Sequence, residues 1–179
     1  MWSIVTFVRS RDSSESRFDR DRHEMNTESG ANEGTEGLAA GEGVLLYAAS
    51  AILRRAFDQA LTPWGVTASQ ATVLSLLDEV GRPIPTSELA RSLFREGPSV
   101  TTMIDRLAVR GLVERTGDAK DRRKVLVQLS EEGKRLTKSI REPGQQLYSQ
   151  IFEVLTAEER QGLGAILRKF RDANMAWLE

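Results

Sequence analysis

Few residues in this chain could support catalysis or bind a metal. Cys is absent, and the single His, His23, lies in a polar stretch. Thiol nucleophiles, disulfides, Fe–S clusters and Cys- or His-rich metal sites are therefore excluded within one chain, although carboxylate sites are not. No Gly-rich phosphate loop is present either. We expect no catalytic residue, no metal and no cofactor, so the chain is not expected to be an enzyme.

The residues best suited to binding form the charged part of the segment GDAKDRRKVLVQLS. Six of the seven positions 118–124 are charged, and the apolar alternation of a β-strand follows. Arg122 and Arg123 could enter a narrow minor groove, where the negative potential attracts Arg. Asp118 and Asp121 could hold these guanidinium groups in one orientation. The alternative interpretation is a solvated hairpin loop.

Two predicted helices precede this region. Apolar residues at helical spacing indicate a first helix that begins near Gly43 and ends before Pro63. Thr67 is placed as the N-cap of a second helix, SQATVLSLLDEV, and GRPIP then forms a break. Residues 1–42 are rich in charged residues and Gly and poor in apolar ones, so we expect this extension to be disordered.

Two shorter helices follow the break. TSELARSLF has Thr86 as its expected cap, and PSVTTMIDRLAVRG has Pro98 at its first position, where the missing N–H costs nothing. Gly111 is a natural stop for this helix. The residues expected to be buried are Leu89, Ala90, Leu93 and Phe94 in the first helix and Val100, Met103, Ile104 and Leu107 in the second.

A helix, a tight turn, a second helix and a β-hairpin together make a winged helix-turn-helix, whose second helix enters the DNA major groove. The hairpin strands are LVERT and KVLVQLS. Residues 86–125 hold nine Lys or Arg against six Asp or Glu in a chain of net charge -1, so positive charge concentrates here. The exposed face of the helix PSVTTMIDRLAVRG is predicted to carry Ser99, Thr101, Thr102, Asp105 and Arg106, whose hydroxyls and guanidinium suit phosphates and base edges. The alternative is that this is an ordinary solvated helix face.

The C-terminal part is predicted to be helical. Ser130 is the expected cap of a long helix, which Pro143 and Gly144 should kink or interrupt, and Thr156 is the expected cap of the last helix. The three long amphipathic helices carry more apolar surface than one winged domain can cover, which favours a homodimer. The fold class is mainly α with a small β-wing (α+β).

Three stretches of the chain resemble MarR-family transcriptional regulators. They are RAFDQALTPWGVTASQATVLSLL at 55–77, SELARSLFREGPSVTTMIDRLAVRGLVER at 87–115 and DAKDRRKVLVQLSEEGKRL at 118–136. The resemblance implies a homodimer that binds a pseudopalindromic operator, with a recognition helix at 98–110 and Arg122 in the minor groove. Thr102 departs from the pattern, because many members carry a longer, often basic residue there.

The expected organisation is a dimerisation helix at 43–66, a winged helix-turn-helix at 67–129 and C-terminal dimerisation helices at 130–179. We expect a sequence-specific regulator that binds double-stranded DNA, more often a repressor than an activator. A winged-helix protein–protein adaptor without DNA affinity is the alternative. The residues predicted to contact DNA are Ser99, Thr101, Thr102, Arg106, Lys120, Asp121, Arg122 and Arg123.

The resemblance also implies a small aromatic or anionic effector, because family members often bind one near the dimer helices. Tyr47, Phe57 and Trp64 are the candidate aromatic lining, and Arg54 is a candidate anion partner. The alternative is that these aromatic residues form dimer core. The N-terminal run MWSIVTFV is too short to span a bilayer, which needs ~20 residues, so we expect a cytoplasmic protein without membrane association.

Overall fold

The computed structural model describes residues 33–117 and 125–175, with side chains from residue 41 onward. Over these ranges the chain is mainly helical and carries one small antiparallel sheet, which confirms the predicted fold class. The elements in chain order are α1 (Glu33–Ala60), a 3-10 turn (Thr62–Trp64), α2 (Ala68–Val80), β1 (Ile84–Pro85), α3 (Thr86–Ser92), α4 (Gly97–Val109), β2 (Val113–Gly117), β3 (Val125–Leu129), α5 (Glu131–Ile151) and α6 (Ala157–Asn174).

Helix α1 begins earlier than the sequence pattern indicated. It starts at Glu33, so the prediction that order begins near Gly43 is wrong by ten residues. Once a helix has formed, each further residue adds a hydrogen bond at little cost, and the Leu-Ala-Ala run in this stretch has high helix propensity. The chain divides between Ala56 and Phe57 into two units, and the second unit holds the last turn of α1 and all later elements.

Helix α2 begins at the predicted cap, Thr67. The Thr67 hydroxyl accepts a hydrogen bond from the Gln70 N–H, while the Gln70 side chain accepts one from the Thr67 N–H. This capping box satisfies N–H groups that the helix itself leaves free. The Ala68 N–H donates to the Asp58 carboxylate, with N to Oδ1 at 2.7 Å. The buried residues of α2 are Val73, Leu74, Leu76 and Leu77.

Helices α3 and α4 begin one residue away from their predicted starts. Thr86 is the first residue of α3 and Pro85 is its N-cap, so the prediction of Thr86 as a cap is wrong. The reason is that the chain up to Pro85 is held extended as β1. Helix α4 starts at Gly97 with Pro98 inside its first turn, where the ring is tolerated. Gly111, with φ +69, follows the end of α4 as predicted.

The sheet has three strands in the spatial order β1, β3, β2, all antiparallel. The two hairpin strands agree with the predicted segments to within one residue at each end. Strand β1 was not predicted, because the break GRPIP is too short to show an alternation. Ile84 pairs with Val127 and Pro85 with Leu126. Because β1 is an edge strand, it tolerates the absence of a backbone N–H donor at Pro85.

The core of the second unit lies between α4, α2, α3 and the sheet. Phe94 was predicted to be buried in α3, but it is exposed. It follows the end of α3 with φ +52, and the Arg95 N–H donates to the Ala90 carbonyl. This reversal turns the chain before Phe94 can continue the helical stripe. The largest fully buried side chains are Val73, Leu74, Leu76, Ile84, Leu89, Val100, Ile104, Leu107 and Val127.

Helix α5 runs through Pro143 without an interruption. The interruption considered from the sequence is therefore wrong, because a helix of 21 residues retains its other backbone hydrogen bonds when one donor is missing. Ser130 caps α5 as predicted and accepts from the Gly133 N–H at 2.9 Å. Thr156 caps α6 as predicted, in a second capping box with Glu159.

Candidate nucleic-acid interface

Helix α4 has one buried face and one exposed polar face. Val100, Ile104 and Leu107 have no exposed surface, because their spacing of four and three residues places them on one side of the helix. The opposite side is exposed to solvent. The four residues predicted to contact DNA from this helix, Ser99, Thr101, Thr102 and Arg106, all lie on the exposed side.

The Thr102 hydroxyl is oriented by the backbone of its own helix. Oγ1 donates to the Pro98 carbonyl oxygen at 3.0 Å. With its proton used in this way, the hydroxyl keeps acceptor lone pairs but offers no donor to a phosphate oxygen. Thr102 can therefore accept from a base amino group or place its methyl group against a thymine methyl.

The carboxylate on this face is paired. Asp105 lies among the polar residues of α4, and its Oδ1 is 2.5 Å from Nη1 of Arg115 in β2. Nη2 of Arg115 also lies 3.5 Å from the Thr101 carbonyl oxygen. Arg115 thus neutralises the carboxylate and joins the first wing strand to α4. This role was missed from the sequence, although an acid among residues predicted to face DNA indicates that a cation should accompany it.

A second unpredicted cation holds the turn between α3 and α4. Nη2 of Arg95 donates to the Ser69 hydroxyl at 2.9 Å. This bond links the helix-turn-helix to the first turn of α2, 26 residues earlier in the chain. Five of the nine cations counted in residues 86–125 are described, and all five lie on the surface of this unit: Arg91, Arg95, Arg106, Arg110 and Arg115.

The wing tip lies outside the described residues. The predicted contacts Lys120, Asp121, Arg122 and Arg123, together with Asp118, belong to 118–124. The described strands lead into this segment from both sides, because Gly117 at the end of β2 pairs with Val125 at the start of β3.

The four residues predicted to line an effector site fall on both units. Tyr47 and Arg54 are exposed on the first unit, while Phe57 and Trp64 are half-buried on the second.

Phe57 belongs to an aromatic cluster on the second unit that was not predicted. Its ring centroid is 4.4 Å from that of Tyr148 in α5, which lies 6.4 Å from that of Phe152. Tyr148 is only partly buried, and this partial burial raises the pKa of its hydroxyl.

In residues 33–117 and 125–175, no group of three or more His, Asp or Glu side chains is arranged to hold a metal ion. No helix in the same ranges combines the length and apolarity that crossing a bilayer requires.

The winged helix-turn-helix and its neighbouring helices match a known family. The sequence pattern of the MarR family matches residues 64–124. The multiple antibiotic resistance protein MarR of Salmonella typhimurium is 33% identical over 128 residues, which are 71% of this chain and 88% of that protein. This chain belongs to the MarR family. The resemblance inferred from the sequence is confirmed, and the chain is a MarR-type DNA-binding transcriptional regulator.

Solved structures of MarR-family proteins share the fold. A mutant of Escherichia coli MarR in complex with operator DNA has a TM-score of 0.69 and 29% identity, covering 78% of this chain and 99% of that one. Bordetella bronchiseptica BpsR has a TM-score of 0.68 and 29% identity, covering 73% of this chain and 98% of that one. The DNA binding of BpsR is regulated by 6-hydroxynicotinic acid. Neither relative supports the alternative of an adaptor without DNA affinity.

Proposed function

We propose that this MarR-family protein is a homodimeric repressor that binds a pseudopalindromic operator through α4 and the wing, and that a small ligand releases it. The observation that carries the proposal is that α4 has two distinct faces. One face is apolar and fully buried, and the other is exposed and carries hydroxyl groups and the long cationic side chain of Arg106. A rigid helix presented in this way fits the major groove.

The proposed contacts divide between two grooves. From α4, Ser99, Thr101, Thr102 and Arg106 face the major groove, with the Asp105 carboxylate kept from repelling the DNA by Arg115. From the wing, the sequence supports Arg122 in the minor groove and Arg123 at a phosphate or bracing the wing. Lys120 and Asp121 complete this proposed set.

The homodimer is supported by apolar side chains that a single chain leaves exposed. Helix α1 exposes a run of them in the first unit, and α6 exposes a second set. Apolar surface of this extent on helices is typical of an interface with another chain. Two winged units related by a two-fold axis would place their half-sites about one helical turn apart, ~34–36 Å. The exposed residues are Val44, Leu45, Leu46, Tyr47 and Ile52 in α1 and Ile166, Leu167 and Phe170 in α6.

Release by a ligand is supported by BpsR, for which regulation of DNA binding by 6-hydroxynicotinic acid is described. A ligand can act only by binding the DNA-competent and incompetent dimers with different affinities. The candidate contacts are Tyr47, Arg54, Phe57 and Trp64, with an aromatic or anionic ligand as their partner. A cytoplasmic location follows from the proposed action on chromosomal DNA.

Selection of bound duplexes from a random pool, with the purified full chain, tests the proposal. We expect enrichment of one pseudopalindrome whose half-sites are about one turn apart. Candidate aromatic and anionic ligands are then added to the complex, and an active effector should lower its affinity. Failure to enrich any sequence over scrambled duplexes would contradict the proposal.

A further inference from the structure

We infer that Arg110 is a positioning residue for DNA recognition, which fixes the C-terminal end of α4 to the turn between α1 and α2 without itself contacting DNA. The inference rests on the proposed function, because it concerns the helix assigned to the major groove. Arg110 immediately follows α4 as its C-cap residue.

The guanidinium group of Arg110 bonds two successive backbone carbonyls. Nη1 donates to the Gly65 oxygen at 2.6 Å, and Nη2 donates to the Trp64 oxygen at 3.1 Å. These partners lie 45 and 46 residues earlier in the chain. A planar guanidinium can satisfy two acceptors at once in a fixed geometry, whereas a Lys ammonium is a point charge without this fork.

The backbone that accepts these bonds is suited to a cation. Thr62–Trp64 form the 3-10 turn, which ends at Gly65 with φ +63. Carbonyls at the end of a helical turn lack partners within it and carry partial negative charge. A Cβ atom added to Gly65 would lie 3.5 Å from Nη2 of Arg110, so the guanidinium packs directly against this glycine.

The residues after Arg110 are held to a third element. The Ser130 hydroxyl donates to the Gly111 carbonyl at 2.6 Å, and the Ser130 N–H donates to the Leu112 carbonyl at 3.2 Å. The stretch 110–112 therefore connects α4 with the turn before α2 and with the cap of α5. Since a helix rises about 1.5 Å per residue, Ser99 lies roughly 16 Å from this junction, and a small tilt there moves it by ångströms.

The competing role for an exposed Arg near DNA is a direct phosphate contact. Loss of a phosphate contact weakens binding to all sequences about equally and lowers the salt slope by about one. Loss of a positioning contact instead weakens binding to the operator, because hydrogen bonds to base edges need the helix in one precise orientation. Non-specific binding does not use these contacts and is left unchanged. Arg110→Lys would keep a phosphate contact but would lose the paired hydrogen bonds to the two carbonyls.

The test compares full-length wild type, Arg110→Met and Arg110→Lys on the selected operator and on a scrambled duplex, across a salt series. Lys138→Met, which removes an exposed cation from α5, is the charge-matched control. We expect both Arg110 variants to lose roughly tenfold in operator affinity, the size of a hydrogen bond made by a charged group. Their affinity and salt slope on the scrambled duplex should equal those of wild type.

Three results would overturn the inference. They are equal weakening on both duplexes, full recovery of operator binding by Arg110→Lys, and unchanged operator affinity in Arg110→Met. Circular dichroism melting identifies a variant that fails to fold, and Arg110→Lys, which keeps the charge and most of the stem, then decides the outcome. A wild-type chain that does not distinguish the operator from the scrambled duplex contradicts the proposed function itself, whatever the variants do.

Discussion

The carbonyl oxygen of Leu112 occupies the space that a Cβ atom on Gly133 would need. Gly133 is buried in the first turn of α5, and its N–H donates to the Ser130 cap. The absence of a side chain lets the segment after α4 lie directly against the start of α5. The Leu-Ser-x-x-Gly sequence that ends in Gly133 is thus a requirement of backbone packing.

We expect Gly133→Ala to destabilise the winged unit. The methyl group meets a backbone carbonyl that cannot rotate away, and overpacking of this kind costs about 1–3 kcal/mol or more. Urea denaturation measures the loss. Gly144→Ala is the matched control in the same helix, because its Cβ would meet only Phe57 Cε1, at 3.9 Å, and Ala has a higher helix propensity by about 1 kcal/mol. Equal stability of the two variants would contradict this account of Gly133.

The ion pair between Asp105 and Arg115 should couple α4 to the wing only weakly in energy. Their side chains are 52% and 33% exposed, and pairs that exposed contribute about 0.2–1 kcal/mol. A double-mutant cycle of Asp105→Ala and Arg115→Ala, measured by urea denaturation, should give a coupling in this range that shrinks in 1 M salt because of screening. A coupling that is absent at low salt, or unaffected by 1 M salt, would be inconsistent with the pair as described.

Arg106→Ala should weaken operator binding without a large change in stability. The side chain is exposed on the polar face of α4, so its removal creates no cavity, while a lost base contact costs about 1–3 kcal/mol. Fluorescence anisotropy with the selected operator measures the effect, and variant operators show whether specificity at one position is relaxed. Lys138→Ala, from the exposed surface of α5, should bind normally. If the two variants bind equally well, Arg106 does not belong to the interface.

The capping box of α6 should make part of the stability depend on pH. Hydrogen bonds with Thr156, first from its backbone N–H and second with its side-chain hydroxyl, lower the pKa of the Glu159 carboxyl from its usual value of 4.5. A lowered pKa in the folded state means that the stabilisation is present above about pH 4.5 and is lost as the pH falls through the lower folded value.

Glu159→Gln isolates this effect, because an amide oxygen keeps the hydrogen bond without titrating. The Thr67 and Gln70 box of α2 already has this form. Thermal unfolding between pH 6 and pH 3 should therefore show a smaller loss in Glu159→Gln than in wild type. An identical pH dependence of the two proteins would remove Glu159 as a contributor.

The sequence predicts those elements whose signal is local. The N-cap at Thr67, the apolar stripe of α4 and the alternation of β3 each lie within one short segment, so periodicity and capping rules locate them. Strand β1 is only two residues long, and it is a strand because it pairs with Val127, more than 40 residues later. In the sequence, Phe94 continues the helical spacing of apolar residues, but the backbone reverses direction there with φ +52.

The candidate site shows the same division. The exposed face of α4 follows from helical geometry once the buried stripe is known. The roles of Arg115 and Arg110 depend on contacts with Asp105 and with the carbonyls of Trp64 and Gly65, which only the folded chain brings near. Every residue carries a backbone carbonyl, so no pattern of residue types indicates which carbonyl will be the partner of an Arg.

Affinity for the selected operator and for a scrambled duplex, measured with the full chain between 50 and 200 mM salt, tests the central claim most directly. Phosphate contacts make the affinity fall steeply with salt, and base contacts in the major groove separate the two duplexes. We predict tighter binding to the operator by about a thousandfold or more, with a steep salt slope on both. Equal affinity for the two duplexes, or no binding to either, would contradict the assignment of α4 as a DNA recognition helix.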